Sequence, residues 1–372
     1  MDCIDKSLET PLLYSSHISR RLGVGAYLKL ENLQPSQSFK YRGISLFTRR
    51  CKAVRGDDLH VIVASGGNAG IVAACVANKL GIKCTVFIPD GASPDTINYL
   101  GREGSKVVIG GDHYLQALRS AEDAVAANPH AVLVPAYDHP TLWEGHGSMV
   151  AEISQQLGRK PDMIICSVGG GGLLGGVMIG CKAVGWEDVP IVTIETSGAN
   201  CFYSSMALNK DWAGSFGVSD EVDIVTEDGV KIVHLRKLTS RATSLAATFP
   251  STGVIKMALA RGGDIRCLSV PDEMTMSTAY SFAEEYKMLI ELACAATLTP
   301  AYEPGLMERL SEGNNKPDVV VFIVCGGFKI SLNEIKEYRT IVQRELEAEK
   351  NDWECGCNGE KWNVPKTASR ER

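Results

Sequence analysis

The sequence Asp162-Met-Ile-Ile-Cys-Ser-Val168 runs directly into Gly169-Gly170-Gly171-Gly172-Leu173-Leu174-Gly175-Gly176. Its apolar first half predicts a buried strand, and its second half predicts a tight turn that opens a helix over residues 172–184. Consecutive glycines allow several backbone N–H groups to point toward one spot, where a helix N-terminus adds positive potential. The stretch therefore predicts an α/β fold with an anion cradle suited to phosphate. A strand-to-helix turn without a ligand is the alternative interpretation.

Strand–helix alternation extends to both sides of this stretch. Short runs rich in Val and Ile alternate with Ala- and Leu-rich segments, which is typical of βαβ units. The runs are apolar on both faces, as in the strands of a covered parallel sheet. Strands are predicted over 60–65, 83–89, 106–110, 131–135, 162–168, 190–195 and 318–325, and helices over 68–80, 96–103, 114–127 and 172–184. The sequence thus predicts an α/β protein with two open, twisted, mostly parallel sheets flanked by helices.

The two α/β units divide near residues 137–147. Residues 203–240 mix Gly, Asp and Ser with few periodic runs, and they are predicted to be less regular. From about Glu349 to residue 372 the chain is polar, which predicts a poorly ordered tail.

The composition limits the class of protein. The 372 residues carry a formal net charge of -6, with 45% hydrophobic and 22% charged residues. These values are typical of soluble globular proteins and exclude collagen-like, disordered and coiled-coil chains. The acidic balance disfavours nucleic-acid and anionic-membrane partners, and the longest apolar stretches are shorter than a bilayer span.

The 12 cysteines include no C-x-x-C pair, so the usual zinc spacing is missing. Cys355 and Cys357 form a C-x-C in the polar tail and are interpreted as an adventitious thiol pair. The first residues have no basic segment followed by an apolar one, so a cytoplasmic location is expected.

A second interpretation of the glycine stretch is a dinucleotide site. Gly170, Gly172 and Gly175 fit the pattern G-x-G-x-x-G, and Glu195 closes a strand some two dozen residues later. This is the arrangement of a nicotinamide-dependent enzyme.

Two other segments bear on this choice. Lys40 lies between aromatic residues in Ser38-Phe39-Lys40-Tyr41-Arg42-Gly43, and apolar surroundings make a lysine amine more nucleophilic at neutral pH. Ser65-Gly66-Gly67-Asn68 joins a strand to a helix and offers backbone donors, a hydroxyl and an amide to a carboxylate. Taken alone, Lys40 could be a surface lysine, and Ser65 or Asn68 could be a helix cap.

Together these segments resemble pyridoxal-phosphate (PLP) enzymes of fold type II, the tryptophan synthase β-like type. The similarity is closest to the eukaryotic-type serine/threonine dehydratases and extends from Glu9 to Leu332. It rests on Ser38–Gly43, Gly67–Gly70, Trp143-Glu144-Gly145-His146, Ser167–Leu173, Gly185–Pro190 and Val324-Cys325-Gly326-Gly327.

The resemblance implies a homodimer that binds PLP between two domains. The large PLP-binding domain would comprise residues 1–42 and 137–348, and the small substrate-loop domain residues 43–136. The implied activity is β-elimination from L-serine, L-threonine or a related β-hydroxy amino acid, which yields a 2-oxo acid and ammonia.

The family's site residues correspond to named positions of this chain. By resemblance, Lys40 forms the Schiff base and acts as general base, and Phe39 and Ser244 cover the two faces of the cofactor ring. Asn68 would bind the ring hydroxyl, and Cys325 would face the pyridine nitrogen. The backbone of Gly169, Gly170, Gly171, Gly172 and Leu173 would hold the phosphate, and Ser65, Gly66, Gly67 and Asn68 would bind the substrate carboxylate.

A monovalent cation site, for K⁺, is also implied by the resemblance. Glu195 and Ala199 match the family's cation loop, and the carbonyl groups of Leu245 and Ala247 would complete the site. Glu195 would then be a cation ligand instead of the ribose ligand of a dinucleotide site.

Several positions differ from the family pattern near the expected pocket. Gln37 replaces a glycine, Ser244 an alanine, and Leu292 the proline of a Glu-Pro-Ala-Cys-Gly motif. Phe328 and Lys329 stand where small or polar residues are usual. These differences leave β-replacement, racemisation or a specialised elimination as alternative reactions on the same scaffold, and a nicotinamide dehydrogenase as a less favoured one.

Overall fold

The computed structural model describes residues 7–111, 114–212, 214, 216–218, 221–311, 316–348 and 351–366. In chain order the strands are β1 (Leu12–Tyr14), β2 (Gly25–Leu30), β3 (His60–Ala64), β4 (Lys83–Ile88), β5 (Lys106–Ile109), β6 (Ala131–Leu133), β7 (Met163–Ser167), β8 (Ile191–Thr196), β9 (Val222–Glu227), β10 (Val230–Leu235), β11 (Ile265–Val270), β12 (Val319–Val324), β13 (Asp352–Cys357) and β14 (Glu360–Pro365).

The helices are α1 (Ser16–Leu22), α2 (Lys40–Arg55), α3 (Asn68–Leu80), α4 (Pro94–Arg102), α5 (Tyr114–Ala126), α6 (Pro140–Leu157), α7 (Gly172–Ala183), α8 (Cys201–Lys210), α9 (Thr252–Ala260), α10 (Asp272–Tyr286), α11 (Leu292–Tyr302), α12 (Pro304–Ser311) and α13 (Leu332–Glu347).

The larger sheet has eight strands in the order β1-β2-β12-β7-β8-β11-β13-β14. Its five central strands, from β2 to β11, are parallel, whereas β1, β13 and β14 are antiparallel to their neighbours. Every residue of β12 is buried, because helices cover both faces of the sheet. This mixed sheet agrees with the predicted architecture.

The smaller sheet has four parallel strands in the order β5-β4-β3-β6. The sequence predicts all of its strands, and α3 begins and ends at the predicted residues. The boundaries of the large and small domains stay a prediction.

The prediction of a poorly ordered tail is wrong for residues 351–366. They form the β13–β14 hairpin, which extends the large sheet at β11. Trp353, Cys355 and Cys357 are buried, so the two thiols belong to the core beneath the hairpin. The Asn358-Gly359 turn has positive φ at both residues, as a two-residue hairpin turn requires. The remaining tail residues lie outside the described part of the chain.

The prediction of an irregular segment over 203–240 is also wrong in part. Its start belongs to α8, and β9 and β10 pair as an antiparallel hairpin. The turn is again two residues, Asp228-Gly229, with positive φ at both.

No helix within the described ranges is long and apolar enough to cross a bilayer.

Candidate active site

A cavity of about 1510 Å³ is lined by residues from both sheets. The segments that follow β3, β7 and β12 meet there, each at the carboxyl end of its parallel strand. Open α/β sheets commonly bind ligands at such strand ends. The cavity also contains most of the site residues that the sequence indicates.

Lys40 is the first residue of α2 and lines the cavity. Its Nζ lies 4.5 Å from the centroid of the Phe39 ring, which itself packs edge-on against His146. Burial lowers the pKa of the Lys40 ammonium, and the charges of Cys325 and Glu291 offset only part of that effect. A larger fraction of the amine is therefore neutral than in water, as nucleophilic or basic chemistry requires.

The segment before Lys40 is tied to the end of β12. The Phe39 N–H donates to the Cys325 carbonyl at 3.0 Å, and the Gly327 N–H donates to the Gln37 carbonyl at 2.7 Å. Gln37 has φ of 58°, in the left-handed region that favours glycine. This explains why a glycine fits this position and why glutamine is strained there.

The glycine stretch forms the turn between β7 and α7. A Cβ on Gly170 would lie 2.4 Å from Tyr137, and Gly171 has φ of 98°. Within the described residues, no side chain caps the N-terminus of α3 or α7, whereas serines cap α1, α4, α9 and α13. Gly169–Leu173 line the cavity at the N-terminus of α7, where backbone N–H groups suit an anion.

Asn68 is held in a buried polar cluster at the wall of the cavity. Its Nδ2 donates to the Ser244 Oγ at 3.2 Å and to the Glu291 Oε1 at 3.1 Å. Burial raises the pKa of the Glu291 carboxyl despite hydrogen bonds from Ser244, the Lys329 backbone and Asn68. The hydroxyl that distinguishes Ser244 from the expected alanine therefore has a partner.

The Ser65-Gly66-Gly67 loop lines the cavity in front of α3. The Gly67 N–H donates to the Ser65 Oγ at 3.2 Å, so one of the loop's donors is used internally. The other backbone donors and the N-terminus of α3 remain available to a carboxylate.

Cys325 follows β12 and its thiol is buried at the cavity wall. Its Sγ lies 3.6 Å from the Ser167 Oγ. A hydrogen bond from Cys294 lowers the pKa of the Cys325 thiol, against the opposing effect of burial. Cys325 therefore presents a hydrogen-bonded thiol or thiolate to a ligand.

The predicted cation ligands lie in two parts of the structure: Glu195 lies in β8 and Ala199 follows it, whereas Leu245 and Ala247 line the cavity. The buried Glu195 carboxylate accepts hydrogen bonds from the backbone of Phe202, at 3.0 Å, and Tyr203, at the N-terminus of α8. Burial raises the pKa of this carboxyl well above its ordinary value. Leu245 and Ala247 line the cavity, and Ala199 follows β8 with its N–H bonded to the Thr196 carbonyl.

The arrangement fits PLP. The cradle at Gly169–Gly172 has no room for side chains and suits the phosphate, while Lys40 offers an amine with a lowered pKa in the same cavity. Asn68, Ser244 and Cys325 line the same cavity and offer polar atoms to a ring.

Sequence reasoning misses three residues of the cavity. Glu291 belongs to a motif that assigns it no role, and Lys329 stands out in the sequence only as a departure from the family pattern. Tyr137, which packs against Gly170, carries no sequence signal. Their importance arises from contacts between distant parts of the chain, which no local pattern reveals.

Residues 6–326 match the family model described as "Pyridoxal-phosphate dependent enzyme". The chain belongs to this family, and the sequence-based resemblance is confirmed. The match also excludes the nicotinamide interpretation of Gly170, Gly172 and Gly175.

Two relatives span nearly the same length. The chain is 38% identical over 332 residues to the L-serine dehydratase/L-threonine deaminase of Bos taurus, covering 88% of this chain and 93% of the relative. It is 36% identical over 335 residues to the serine dehydratase-like protein of Homo sapiens, covering 89% and 93%.

Solved structures agree with the predicted fold class. A fungal L-serine ammonia-lyase from Rhizomucor miehei superposes with a TM-score of 0.77 at 31% identity, covering 90% of this chain and 98% of that one. Threonine deaminase isoform 2 from Solanum lycopersicum superposes with a TM-score of 0.74 at 21% identity, covering 91% and 85%, and supports the fold alone. The fold type II prediction is confirmed.

Proposed function

We propose that this protein is a PLP-dependent ammonia-lyase that acts on L-serine, L-threonine or a related β-hydroxy amino acid. The observation that carries the proposal is the position of Lys40, whose amine has a lowered pKa and shares one cavity with the glycine cradle and the Ser65–Gly67 loop. The names of the relatives, L-serine dehydratase/L-threonine deaminase and L-serine ammonia-lyase, support the substrate class.

Different residues of the chain would bind the cofactor, orient the substrate and accept the proton. Lys40 would hold the cofactor through a Schiff base, and its amine, once the substrate's amino group has displaced it, would accept the substrate's α-proton at Nζ. The Ser65–Gly67 loop and the N-terminus of α3 orient the substrate carboxylate. The backbone of Gly169–Leu173 holds the phosphate. When bound, PLP supplies the electron-withdrawing ring that stabilises negative charge at the α-carbon.

The proposed ring contacts come from the family resemblance, and the residues concerned all line the cavity. Phe39 and Ser244 would lie on the two ring faces, and Asn68 would donate to the ring hydroxyl. Cys325 would face the pyridine nitrogen, where a thiol does not enforce protonation as a carboxylate would. Loss of the β-hydroxyl together with the α-proton would release one water and an enamine, and a second water would hydrolyse the enamine to the 2-oxo acid and ammonia.

The test is product formation by the purified holoenzyme. With L-serine and L-threonine we expect equal amounts of 2-oxo acid and ammonia, and no product from Lys40→Ala. Lys182→Ala, an exposed lysine of α7, is the matched control and should retain full activity. If no β-hydroxy amino acid yields 2-oxo acid, the proposal fails. Formation of the D-amino acid or of a β-substituted product would then identify racemisation or β-replacement.

Three further features belong to the proposal. A K⁺ ion near Glu195 and Ala199 is supported by the complete burial of that carboxyl group, whose negative charge a cation would balance. A cytoplasmic location is supported by the cysteines of the described residues, which are all free. A homodimer is supported by the family resemblance. Activity in K⁺ against Li⁺, localisation of a tagged chain, and light scattering test these three points.

A further inference from the structure

The segment Gly327-Phe328-Lys329 is fixed beside the substrate loop. The Phe328 N–H donates to the Asn68 Oδ1 at 3.0 Å, and the Lys329 N–H donates to the Glu291 Oε1 at 2.6 Å. The Phe328 ring packs on Tyr99 of α4, with 4.8 Å between centroids. These contacts determine where the Lys329 side chain begins.

The Lys329 ammonium lies next to the Ser65–Gly67 loop. A Cβ built on Gly67 would lie 3.7 Å from the Lys329 Nζ and 3.8 Å from its Cε. Lys329 also lines the cavity. Its charge acts on the Glu291 carboxyl, but the ammonium makes no ion pair in the part of the chain that the structure describes. The ammonium is thus available where the substrate carboxylate is expected.

A positive charge beside the Ser65–Gly67 loop would strengthen its binding of a carboxylate. Because the Gly67 N–H is already bonded to the Ser65 Oγ, the loop presents fewer donors than its length suggests. A lysine ammonium adds a charge-assisted hydrogen bond, which is stronger than a bond from a neutral amide.

We infer that Lys329 forms an ion pair with the α-carboxylate of the substrate and determines the preference for amino acids over the corresponding amines. This inference rests on the proposed function, because it assumes that an amino acid occupies the loop. Lys329 then contributes to binding and leaves the proton transfer at Lys40 unchanged. Its removal should raise KM and have little effect on kcat.

The experiment compares ligands with and without a carboxylate in the holoenzyme. L-Alanine has no β-leaving group, and ethanolamine is L-serine without the carboxylate. Binding of each is followed by the change in cofactor absorbance. For Lys329→Met we expect the Kd of L-alanine and the KM of L-serine to rise about 10- to 100-fold, the scale of one hydrogen bond to a charged group. The Kd of ethanolamine should change less than about 3-fold.

Two variants serve as controls. Lys329→Arg keeps the charge and should recover most of the affinity for L-alanine. Lys336→Met removes an exposed lysine of α13 that does not line the cavity, so it should leave all constants unchanged. An effect of Lys336→Met equal to that of Lys329→Met would overturn the inference, because net charge alone would then explain the result.

The remaining outcomes are equally decisive. Unchanged L-alanine binding in Lys329→Met, or equal weakening for L-alanine and ethanolamine, overturns the ion pair. If the wild-type holoenzyme forms no 2-oxo acid but L-alanine binding depends on Lys329, the proposed function fails and the inference stands.

Discussion

Adding one methyl group to the glycine cradle, by Gly170→Ala, should weaken cofactor binding strongly. The new Cβ would lie 2.4 Å from the Tyr137 Cδ2 and 2.5 Å from its Cε2. Two hydrogen bonds restrict movement of Tyr137 away from Gly170. The Tyr137 hydroxyl donates to the Phe249 carbonyl at 3.2 Å, and the Tyr137 carbonyl accepts from the Trp143 Nε1 at 2.9 Å. The cradle itself must therefore move.

The size of the effect follows from these distances. Reaching van der Waals contact requires a displacement of about 1 Å, and overpacking of this kind costs about 1–3 kcal/mol of folding free energy. Backbone donors moved by that distance lose part of their bonds to a phosphate, each worth about 1.5–3 kcal/mol. We expect the Kd of PLP to rise on the order of 10- to 100-fold.

The assay is titration of apoenzyme with PLP, followed by cofactor absorbance and paired with thermal unfolding. Gly262→Ala is the matched control, because its Cβ would meet no atom within 4 Å. The double variant Gly170→Ala with Tyr137→Ala removes the clash and should recover part of the affinity. Wild-type PLP affinity in Gly170→Ala would refute the assignment of this turn as the phosphate cradle.

Three further predictions concern stability and pH. Gln37→Gly should raise the free energy of unfolding by up to about 1 kcal/mol in urea denaturation, because it relieves a left-handed φ at an exposed side chain; a loss above about 1 kcal/mol would contradict this. Glu291→Gln should remove a pH dependence: burial raises the pKa of this carboxyl, so wild-type stability falls as pH rises from about 4.3 through the raised pKa. Parallel stability–pH curves for the two proteins would contradict that origin. Trp353→Ala should cost about 3–5 kcal/mol and leave kcat unchanged, because the buried indole docks the C-terminal hairpin away from the cavity; a cost below about 1 kcal/mol would mean that the hairpin is not docked.

Apolar runs in the sequence are sufficient to predict α3 and seven of the nine parallel strands that the structure describes. They do not predict β2 and β11. The C-terminal hairpin is the opposite case. Its polar composition suggests disorder, although the buried positions 353, 355 and 357 alternate and Asn358-Gly359 is a strong hairpin signal. Local signals are present there, but the polar composition outweighs them in the prediction.

The sequence likewise indicates some residues of the candidate active site and misses others. Lys40, the glycine turn and the Ser65–Gly67 loop lie in short motifs, so the sequence alone is enough to indicate them. The cluster of Asn68, Ser244 and Glu291 joins residues up to 223 positions apart, and only the folded chain brings them together. The exposed position of Lys329 likewise gains meaning only from its contact with Gly67.

Covalent attachment of PLP to Lys40 is the most direct test of the proposed chemistry. The purified protein should be yellow, and borohydride should bleach the absorbance band and leave a pyridoxyl group on the peptide that contains Lys40, as found by mass spectrometry. Lys40→Ala should lack both the band and the adduct. A colourless wild-type protein, an adduct on another lysine, or a band that persists in Lys40→Ala would contradict the central role of Lys40.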